Sequence, residues 1–287
     1  MKAGRNPITR AAEHLLSASW GRYTLVSLYT SLLSGIILAL QYDPGDPFYS
    51  TTTIELIVPF GEFWRSLHYF SSQLCFLFLL IHLAVTIVRN DHQLSASAWL
   101  RITSSLILAL FFLFTGYVLR GDATGESAGI IAEHITLSLP LLGRPLNYLL
   151  FDITANAIRK VYVHHLVTLV IIGAYCCWPH LRRYGWTVAN RWGLVAATLL
   201  LAVLFRAPME ADHPGLTHIA GPWFFLGLQE LLRFLPPLWA GIVFPATVVL
   251  ALLFLPSCSR IRSHVLTVIL LWLAVYLILT WFSFNRA

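Results

Sequence analysis

Charged residues are scarce in this chain. Only 11% of its 287 residues are charged, whereas 57% are hydrophobic and the mean hydropathy is +0.72. Soluble domains carry about 25% charged residues, so this composition excludes an ordinary soluble protein and indicates an integral membrane protein. The formal net charge of +6 is therefore interpreted as a topology signal rather than as a nucleic-acid-binding surface.

Cysteine motifs are also absent. Cys75, Cys176, Cys177 and Cys258 form neither CxxC nor CxxCH, so zinc binding of that type and covalent attachment of c-type haem have no sequence support. The basic, amphipathic segment MKAGRNPITRAAEHLLSASWGR lacks a short apolar core followed by a cleavage site, and it is not interpreted as a signal peptide. Internal repeats and low-complexity linkers are missing too, which favours one integral domain.

Seven apolar segments have the length of a transmembrane helix. They lie at about 23–42, 66–88, 99–119, 161–180, 190–206, 237–256 and 264–283. Long connections follow the first, third and fifth of these spans, and short basic connections follow the others. The predicted fold is therefore an all-α integral membrane protein.

Positive charge is distributed unevenly between the two sets of connections. One set holds eleven of the nineteen Lys and Arg residues but only two of the thirteen acids. The positive-inside rule places that set in the cytoplasm. We therefore predict a cytoplasmic N-terminus, an external C-terminus, and all three long connections on the outer side. The eleven cations are Lys2, Arg5, Arg10, Arg22, Arg89, Arg101, Arg182, Arg183, Arg191, Arg260 and Arg262.

Four histidines of the second and fourth spans form two matched pairs. His68 and His82 are 14 residues apart, about 40° short of four helical turns, and His165 and His180 are 15 apart, about 60° beyond four turns. Each pair therefore lies on one face of its helix, with roughly 21–22 Å between its members. His164 falls on a neighbouring face. The two spans run parallel, so His68 is level with His165 and His82 with His180.

Two levels of facing imidazoles predict two stacked haems with histidine axial ligands. The alternatives are polar packing residues and a proton relay, since membrane histidines serve in both. Neither alternative demands equal spacing on two helices. The pattern therefore favours haem.

The segment GPWFFLGLQELLR, residues 221–233, is too apolar for an ordinary loop. At thirteen residues, with Glu230 and Arg233 in it, it is also too short and too charged to cross a bilayer. An interfacial helix with an aromatic anchor is one interpretation. The other is the roof of a chamber for a lipid-soluble substrate.

Several of these stretches resemble cytochrome b, specifically cytochrome b6 fused to subunit IV. SLLSGIILALQYDP, with Gly35 near mid-membrane, resembles the family's first helix, and FGEFWRSLHYFSSQLCFLFLLIH resembles its second. TGYVL, with Gly116 and Tyr117, resembles the end of the third helix, and ITLSLPLLGRPLNYLLF resembles the amphipathic cd helices. GPWFFLGLQELLR lies where the family has Pro-Glu-Trp-Tyr and the ef helix of the outer quinol pocket.

The resemblance implies a dihaem four-helix bundle at 1–185 and a subunit IV-like region with three further spans at 186–287. It implies two non-covalent b haems and a quinone, menaquinone or ubiquinone. Arg65 would meet a haem propionate. The residues implied in cofactor or quinone binding are Gly35, Arg65, His68, His82, Gly116, Tyr117, His165, His180, Arg183, Trp223 and Phe224.

The chain also departs from the family pattern. Pro222 stands in place of the acid that accepts a quinol proton, and Phe224 in place of the tyrosine. Residues 120–123, Arg-Gly-Asp-Ala, replace Pro-Trp-Asp-Gln. We predict Glu230 as the substitute proton acceptor, on the same helical face as Trp223, with Asp122 or Glu126 as alternatives. No cysteine occurs before Cys75, so the covalent tether that cytochrome b6 has for a further haem near its N-terminus is not expected. Pro179 is expected to bend the fourth helix beside His180.

The resemblance further implies a subunit of a respiratory quinol oxidoreductase in a bacterial inner membrane or an equivalent energy-transducing membrane. Quinol would be oxidised at the outer face, and electrons would pass through two haems to an inner quinone site near Trp20, Arg22 and Arg183. A Rieske-type iron–sulfur protein, a cytochrome c subunit with one haem or several, membrane lipids and a second copy of the complex would be its partners. Nucleic acid would not be one.

Two other functions stay open at this point. A dihaem membrane anchor would exchange electrons between quinone and a peripheral partner without splitting electron pairs. The last three spans and the cd and ef elements argue against it, and the lost acid argues for it. A transporter or purely structural subunit would leave the histidine pairs unexplained.

Overall fold

The computed structural model describes residues 13–89, 94–156, 158–184, 190–211, 219–255 and 261–286, and these form helices and connections without a β-strand. The all-α prediction is confirmed for these residues. The helices are α1 Trp20–Ala39, α2 Pro47–Leu56, α3 Gly61–Val88, α4 Ala96–Val118, α5 Ala123–Leu137, α6 Gly143–Leu150, α7 Ile153–Asn156, α8 Arg159–Tyr184, α9 Trp192–Leu204, α10 Leu226–Leu231, α11 Trp239–Phe254 and α12 Arg262–Phe284.

Every predicted span coincides with a helix. Those with the length and apolar composition to cross a membrane are α1, α3, α4, Arg159–Arg182 within α8, and α12. The helices at the fifth and sixth spans are shorter, since α9 has 13 residues and α11 runs from Trp239 to Phe254. At 1.5 Å per residue, α9 extends only about 20 Å. Its crossing therefore stays a prediction.

The amphipathic cd and ef elements are also helical. α5 and α6 form the connection between α4 and α8, and α10 forms the short helix after GPWFF. Asp122 caps α5, its carboxylate accepting a hydrogen bond from the Gly125 N–H, and Ser95 caps α4 by accepting one from Ala98. Caps of this kind satisfy amide donors that have no partner inside the first turn.

Two compact units divide the chain. The first contains Met1–Leu38, Glu62–Gln93 and Leu181–Ala207, and the second contains Ala39–Gly61, Leu94–His180 and Pro208–Ala287. This division does not follow the boundary predicted at residues 185 and 186, because α9 groups with α3, the helix that carries both His68 and His82. The boundary remains an expectation from the resemblance.

In the first unit, the end of α9 is fastened to the beginning of α3. The Ser66 hydroxyl accepts a hydrogen bond from the Ala207 N–H at 2.9 Å, and the Arg65 guanidinium donates to the Ala207 carbonyl. Arg206 forms an ion pair with Glu62. Both backbone groups of Ala207 are thus bound by α3, which fixes how the connection after α9 begins.

In the second unit, a buried apolar cluster joins α4 to the segment before α8. Its members are Phe114, Val118, Phe151, Ile153, Ile158 and Val161. α10 packs closely on α12 through Gly227, since a Cβ built on this glycine would lie 2.9 Å from Tyr276 Cε2 and from Thr280 Oγ1. A larger residue at position 227 would separate the two helices.

Candidate functional site

His68 is held on α3 by the backbone of α1. Its Nδ1 lies 2.9 Å from the Ser31 carbonyl oxygen and 3.4 Å from the Ser34 hydroxyl. A carbonyl oxygen only accepts, so Nδ1 carries the proton and Nε2 is the nitrogen suited to bind a metal. The first predicted ligand is therefore held in the required tautomer by its own unit.

Gly35 allows the His68 ring to take this position. A Cβ built on Gly35 would lie 2.8 Å from His68 Cε1 and 3.1 Å from Nδ1, closer than side chains tolerate. An alanine would force the ring or the helix to move. A glycine is therefore needed at position 35 to admit the His68 ring, whereas the part of Gly35 in cofactor binding stays a prediction.

His165 shows the same arrangement in the second unit. Its Nδ1 lies 2.8 Å from Thr115 Oγ1, and that hydroxyl donates its own proton to the Phe111 carbonyl at 2.7 Å. The hydroxyl therefore accepts from Nδ1, which again leaves the metal-binding role to Nε2. A Cβ on Gly116 would lie 3.2 Å from His165 Cε1.

His82 has a glycine neighbour that the sequence analysis missed. A Cβ on Gly21 would lie 3.3 Å from His82 Cε1. Gly21 and Gly35 are 14 residues apart, the same spacing as His68 and His82. That shared spacing was the available signal, since antiparallel helices bring equal spacings into register.

A π-helical turn at His164–Thr168 lies at the start of the interval between His165 and His180. Here the Leu169 N–H donates to the His164 carbonyl, five residues earlier. A π turn accommodates one extra residue within a helix. The 15-residue interval therefore rotates about as far as 14 residues of regular helix, which reduces the predicted 60° excess to roughly the offset between His68 and His82.

The residues beside these ligands are placed as follows. The His164 ring nitrogens contact Thr168 Oγ1 at 3.1 Å and the Leu149 carbonyl at 2.8 Å. Both nitrogens of His164 are thus engaged in hydrogen bonds, and the ligand proposed at this place in α8 is His165. Helix α8 continues through Pro179 to Tyr184, and the predicted bend stays a prediction. Arg65 is buried and bonded to Ala207, and its contact with a propionate remains an expectation.

Three side chains hold the segment before α10. Gln229 accepts from the Gly221 N–H and donates to the Ile219 carbonyl, both at 2.6 Å. Tyr117 of α4 donates to the Ala220 carbonyl at 3.4 Å, and Tyr276 of α12 donates to the Phe224 carbonyl at 2.6 Å. GPWFF is therefore a fixed turn bound to three helices.

Trp223 and Glu230 do not share a helical face, which corrects the sequence prediction. α10 begins only at Leu226, after a turn that contains Trp223. The Trp223 side chain is 46% exposed, whereas Glu230 is 3% exposed and Phe224 is buried. The expectation assumed that the helix included the tryptophan, and the proline at 222 instead lies in a turn.

Glu230 forms an ion pair with Arg286, at 2.7 Å between Oε1 and Nη1. The Glu230 side chain is buried, and the Arg286 side chain is 44% exposed. Glu230 is thus a buried acid in a segment that the sequence analysis singled out, its role as proton acceptor stays a prediction, and the ion pair with Arg286 was not predicted.

Asp122 is fully buried and its carboxylate is saturated with donors. Oδ1 accepts from the Gly125 N–H and the Thr124 hydroxyl, each at 3.0 Å, and Oδ2 accepts from the Glu210 N–H at 2.9 Å and from Arg120. The alternative acid, Glu126, is exposed. The geometry favours a positioning role for Asp122, and its proposed part in proton uptake stays a prediction.

Asp122→Ala is expected to lower the free energy of unfolding in detergent by roughly 3 kcal/mol or more, because removing one partner strands the other charge of a buried ion pair. Thermal unfolding followed by circular dichroism measures it. The matched control is Glu126→Ala in the same helical turn, which should stay within about 0.5 kcal/mol of the parent. Equal losses in both variants would contradict the assignment.

Glu133 joins the two cd helices. It accepts hydrogen bonds from Asn147 Nδ2 at 2.7 Å, from the Thr154 N–H at 3.1 Å and from the Thr154 hydroxyl. Burial raises the pKa of this carboxyl, but the hydrogen bonds from Thr154 and Asn147 outweigh burial and hold its pKa below the usual value. The charged form therefore stabilises this connection.

At the other end of the first unit, the predicted inner residues separate. Trp20 packs against Tyr23 and Phe78, whereas Arg22 is exposed. The side chain of Arg183 lies outside the described residues. Of the predicted inner group, the structure thus brings only Trp20 into an aromatic cluster.

Known proteins resemble the chain over much of its length. A family model described as cytochrome b/b6/petB matches residues 10–182. Cytochrome b6 of Heliomicrobium gestii is 29% identical over 159 residues, covering 52% of this chain and 73% of the relative. Cytochrome b of Bugula neritina is 24% identical over 298 residues, covering 90% of this chain and 81% of the relative.

A solved structure has the same fold. A chain of the "Hyperthermophilic respiratory Complex III" aligns with a TM-score of 0.65 and 18% sequence identity. The alignment covers 93% of this chain and 88% of that chain. At this identity the likeness concerns the fold.

Proposed function

Because the chain belongs to the cytochrome b/b6 family, we propose that it is the dihaem cytochrome b subunit of a respiratory quinol oxidoreductase. The observation that carries this proposal is the repeated histidine arrangement. His68 and His165 each have Nδ1 bound to an acceptor and a glycine against the ring. Packing alone does not require both features at once.

The proposed axial ligands are His68 with His165 for the outer haem and His82 with His180 for the inner one. The pairing rests on the matched intervals in the sequence and on the π turn that equalises them. Gly35, Gly116 and Gly21 leave the space beside three of the rings, and Arg65 is the proposed propionate partner. The haems, when bound, supply one-electron carriers between an outer and an inner quinone site.

The outer quinol site is proposed around the fixed turn of GPWFF, with Tyr117, Trp223 and Phe224 as its aromatic residues. Tyr117 and Tyr276 orient this turn through its backbone carbonyls. Quinol oxidation releases two protons, so a base must take them. Glu230 remains the proposed acceptor because it is the buried acid of this segment. Its ion-pair partner Arg286 is partly exposed and so connects Glu230 with solvent.

The partners and location follow from the same proposal. The chain carries no CxxCH motif and no cysteine set for an iron–sulfur cluster, so a second acceptor chain is required. A Rieske-type protein and a cytochrome c subunit are the proposed partners, in a homodimeric complex surrounded by lipid. The N-terminus is proposed to be cytoplasmic and the C-terminus external, in a bacterial inner membrane or its equivalent.

Three observations together favour a second function. Pro222 replaces the usual acid, Asp122 is saturated by four donors, and Glu230 is ion-paired. A site without an available base suits a dihaem anchor that exchanges electrons with a peripheral partner without splitting electron pairs. The helices α9–α12 argue against this reading, because two haems need only the earlier ones.

A pre-steady-state experiment separates the two functions. Quinol is mixed with the oxidised complex while an inhibitor blocks the inner quinone site, and absorbance of the b haems is followed. Electron-pair splitting predicts transient haem reduction that is enhanced by adding an oxidant for the partner chain. An anchor predicts haem reduction that the oxidant does not enhance.

A further inference from the structure

A hydroxyl residue stands directly before the glycine that lies against each proposed ligand of the outer haem. The pair Ser34–Gly35 on α1 adjoins His68, and the pair Thr115–Gly116 on α4 adjoins His165. We call each of them a hydroxyl–glycine pair. The same arrangement thus occurs once in each unit of the chain. Its recurrence at both ligands of one level indicates a shared role there.

The Thr115 hydroxyl acts as an acceptor towards His165. It has a single proton, which it donates to the Phe111 carbonyl at 2.7 Å, and its oxygen lies 2.8 Å from His165 Nδ1. The Phe112 ring meets the His165 ring edge to face, with 5.5 Å between the ring centroids and 78° between the planes. The hydroxyl therefore receives the Nδ1–H proton, and the neighbouring ring restricts how the imidazole can turn.

The Ser34 hydroxyl makes a weaker contribution to His68. It donates to the Thr30 carbonyl at 2.8 Å or to the Ser31 carbonyl at 3.0 Å, and its oxygen lies 3.4 Å from His68 Nδ1. The Ser31 carbonyl oxygen lies closer to that nitrogen, at 2.9 Å. The principal acceptor for His68 is thus the backbone of α1, and Ser34 is secondary.

Both hydroxyls of these pairs are shielded from water. The side chains of Ser34 and Thr115 are buried. A hydrogen bond in such surroundings is electrostatically stronger than one in water. A donor that loses its partner there also stays unsatisfied. Removing the Thr115 hydroxyl should therefore have a consequence for the imidazole that solvent does not compensate.

The inner level has a different residue at the corresponding position. Gly21, which lies against His82, follows Trp20 rather than a serine or threonine. The Trp20 indole N–H donates to the Leu15 carbonyl at 2.7 Å. The hydroxyl–glycine pair therefore belongs to the outer level among these three glycines.

An acceptor on Nδ1–H changes the chemistry of the opposite ring nitrogen. It raises the basicity of the imidazole, so Nε2 becomes a stronger electron donor to a metal. A stronger donor stabilises ferric iron more than ferrous iron, because the ferric ion carries the larger positive charge. Hydrogen bonding around the axial ligands is accordingly one of the means by which proteins set the potential of a haem.

We propose that Thr115 is a positioning residue that lowers the midpoint potential of the outer haem by accepting the Nδ1–H proton of His165. Ser34 contributes in the same direction, and less strongly, through His68. The inference rests on the proposed function and adds to it a physical reason for a difference between the two haems. The determinant is a hydroxyl on the helix that faces the ligand.

The test measures the midpoint potentials of both b haems in the purified full-length complex, by potentiometry with absorbance detection. Thr115→Val keeps the branched shape but removes the acceptor. It is expected to shift the ferric-to-ferrous ratio of the outer haem towards ferrous by roughly tenfold, the low end of such effects at metal sites, which equals about 59 mV for a one-electron couple. The outer haem is identified as the one that His68→Ala removes.

Three further variants accompany Thr115→Val. Thr115→Ser retains the hydroxyl and should keep the parental potential. Ser34→Ala should raise the potential of the same haem by less than Thr115→Val does. Thr115→Cys has a thiol, which is a weaker acceptor, so it should give an intermediate shift. It also keeps the proposal testable if Thr115→Val fails to retain the haem.

Thr198→Val is the matched control. Thr198 is a buried threonine whose hydroxyl donates to the carbonyl four residues earlier, that of Leu194, at 2.8 Å. Thr115 makes the same kind of bond within α4, but Thr198 lies on α9, which carries no proposed ligand. Both haems of Thr198→Val should keep their parental potentials.

Several outcomes would overturn the proposal. They are parental potentials in both Thr115→Val and Thr115→Cys, a downward shift in either variant, or an equal shift in Thr115→Ser or Thr198→Val. A shift of one haem by Thr115→Val and of the other by Ser34→Ala would instead overturn the pairing of His68 with His165. A parent without two haems would overturn the proposed function, and this is seen before any variant is made.

Discussion

His68→Ala is expected to leave the purified chain with one b haem instead of two, and His82→Ala is expected to remove the other. Each imidazole supplies an axial ligand, and nothing of similar basicity replaces it when the side chain ends at Cβ. Haem content per chain, measured as the pyridine haemochrome, gives the result. Redox titration identifies which haem is lost, since the two levels differ in their surroundings.

His164→Ala is the matched control for the ligand variants. It removes a histidine next to His165, but this ring bonds to Thr168 and the Leu149 carbonyl. Two haems should therefore remain. Loss of a haem in His164→Ala with retention in His165→Ala would show that the ligand on α8 has been misassigned.

A substitution of Gly35, the glycine beside His68, tests the same site without replacing a ligand. Gly35→Ala adds a methyl group 2.8 Å from His68 Cε1, so the outer haem should be lost or its low-spin spectrum changed. Gly193→Ala is the control, because a Cβ there meets nothing within 4 Å. Unchanged spectra in Gly35→Ala would remove the steric argument for the outer haem.

Glu230→Gln is expected to slow quinol oxidation by roughly 10²-fold, the low end of general-base effects. The substitution keeps the shape of the side chain but removes the base. Both haem spectra should stay unchanged, since Glu230 lies in the connection after α9 and contacts α12. Steady-state turnover with quinol and a soluble electron acceptor, measured with the intact complex, gives the result.

Arg286→Gln distinguishes two roles of Glu230, proton uptake and a purely structural ion pair that holds α10 against α12. It breaks the same ion pair but leaves the carboxylate in place. If Glu230 takes the proton, Arg286→Gln should retain most of the turnover that Glu230→Gln loses. Equal losses in the two variants would show that the ion pair only joins α10 to α12. Turnover of Glu230→Gln within a few-fold of the parent would exclude Glu230 as the acceptor.

The helices could be predicted, and the four histidines could be proposed as ligands, because both signals are local in the sequence. A helix within a bilayer must satisfy its backbone internally and present about twenty apolar residues, and equal histidine spacings depend on helix geometry alone. The amphipathic α5, α6 and α10 could be placed only through the resemblance. The interval of 15 residues left a 60° excess that the sequence could not resolve, because a π turn has no reliable residue signature.

The contacts that surround the sites were less accessible from the sequence. Arg286 and Glu230 are 56 residues apart in the sequence, and Asp122 accepts a hydrogen bond from the N–H of Glu210, which is 88 residues further along the chain. Such contacts form only where helices that are far apart in the sequence end close together in space, and local sequence patterns do not reveal this. Arg191 was counted only as one of the cytoplasmic cations, since nothing in its neighbours indicates that it lies over the Tyr23 ring. Gly21 alone could have been found, from its spacing to Gly35.

The most direct measurement of the central claim is the haem content of the purified chain with its ligand spectrum. The account predicts two b haems per chain, both extracted by acid acetone, with low-spin electron paramagnetic resonance signals of bis-imidazole iron. A single haem per chain, a covalently retained haem, or a high-spin signal from most of the iron would contradict it.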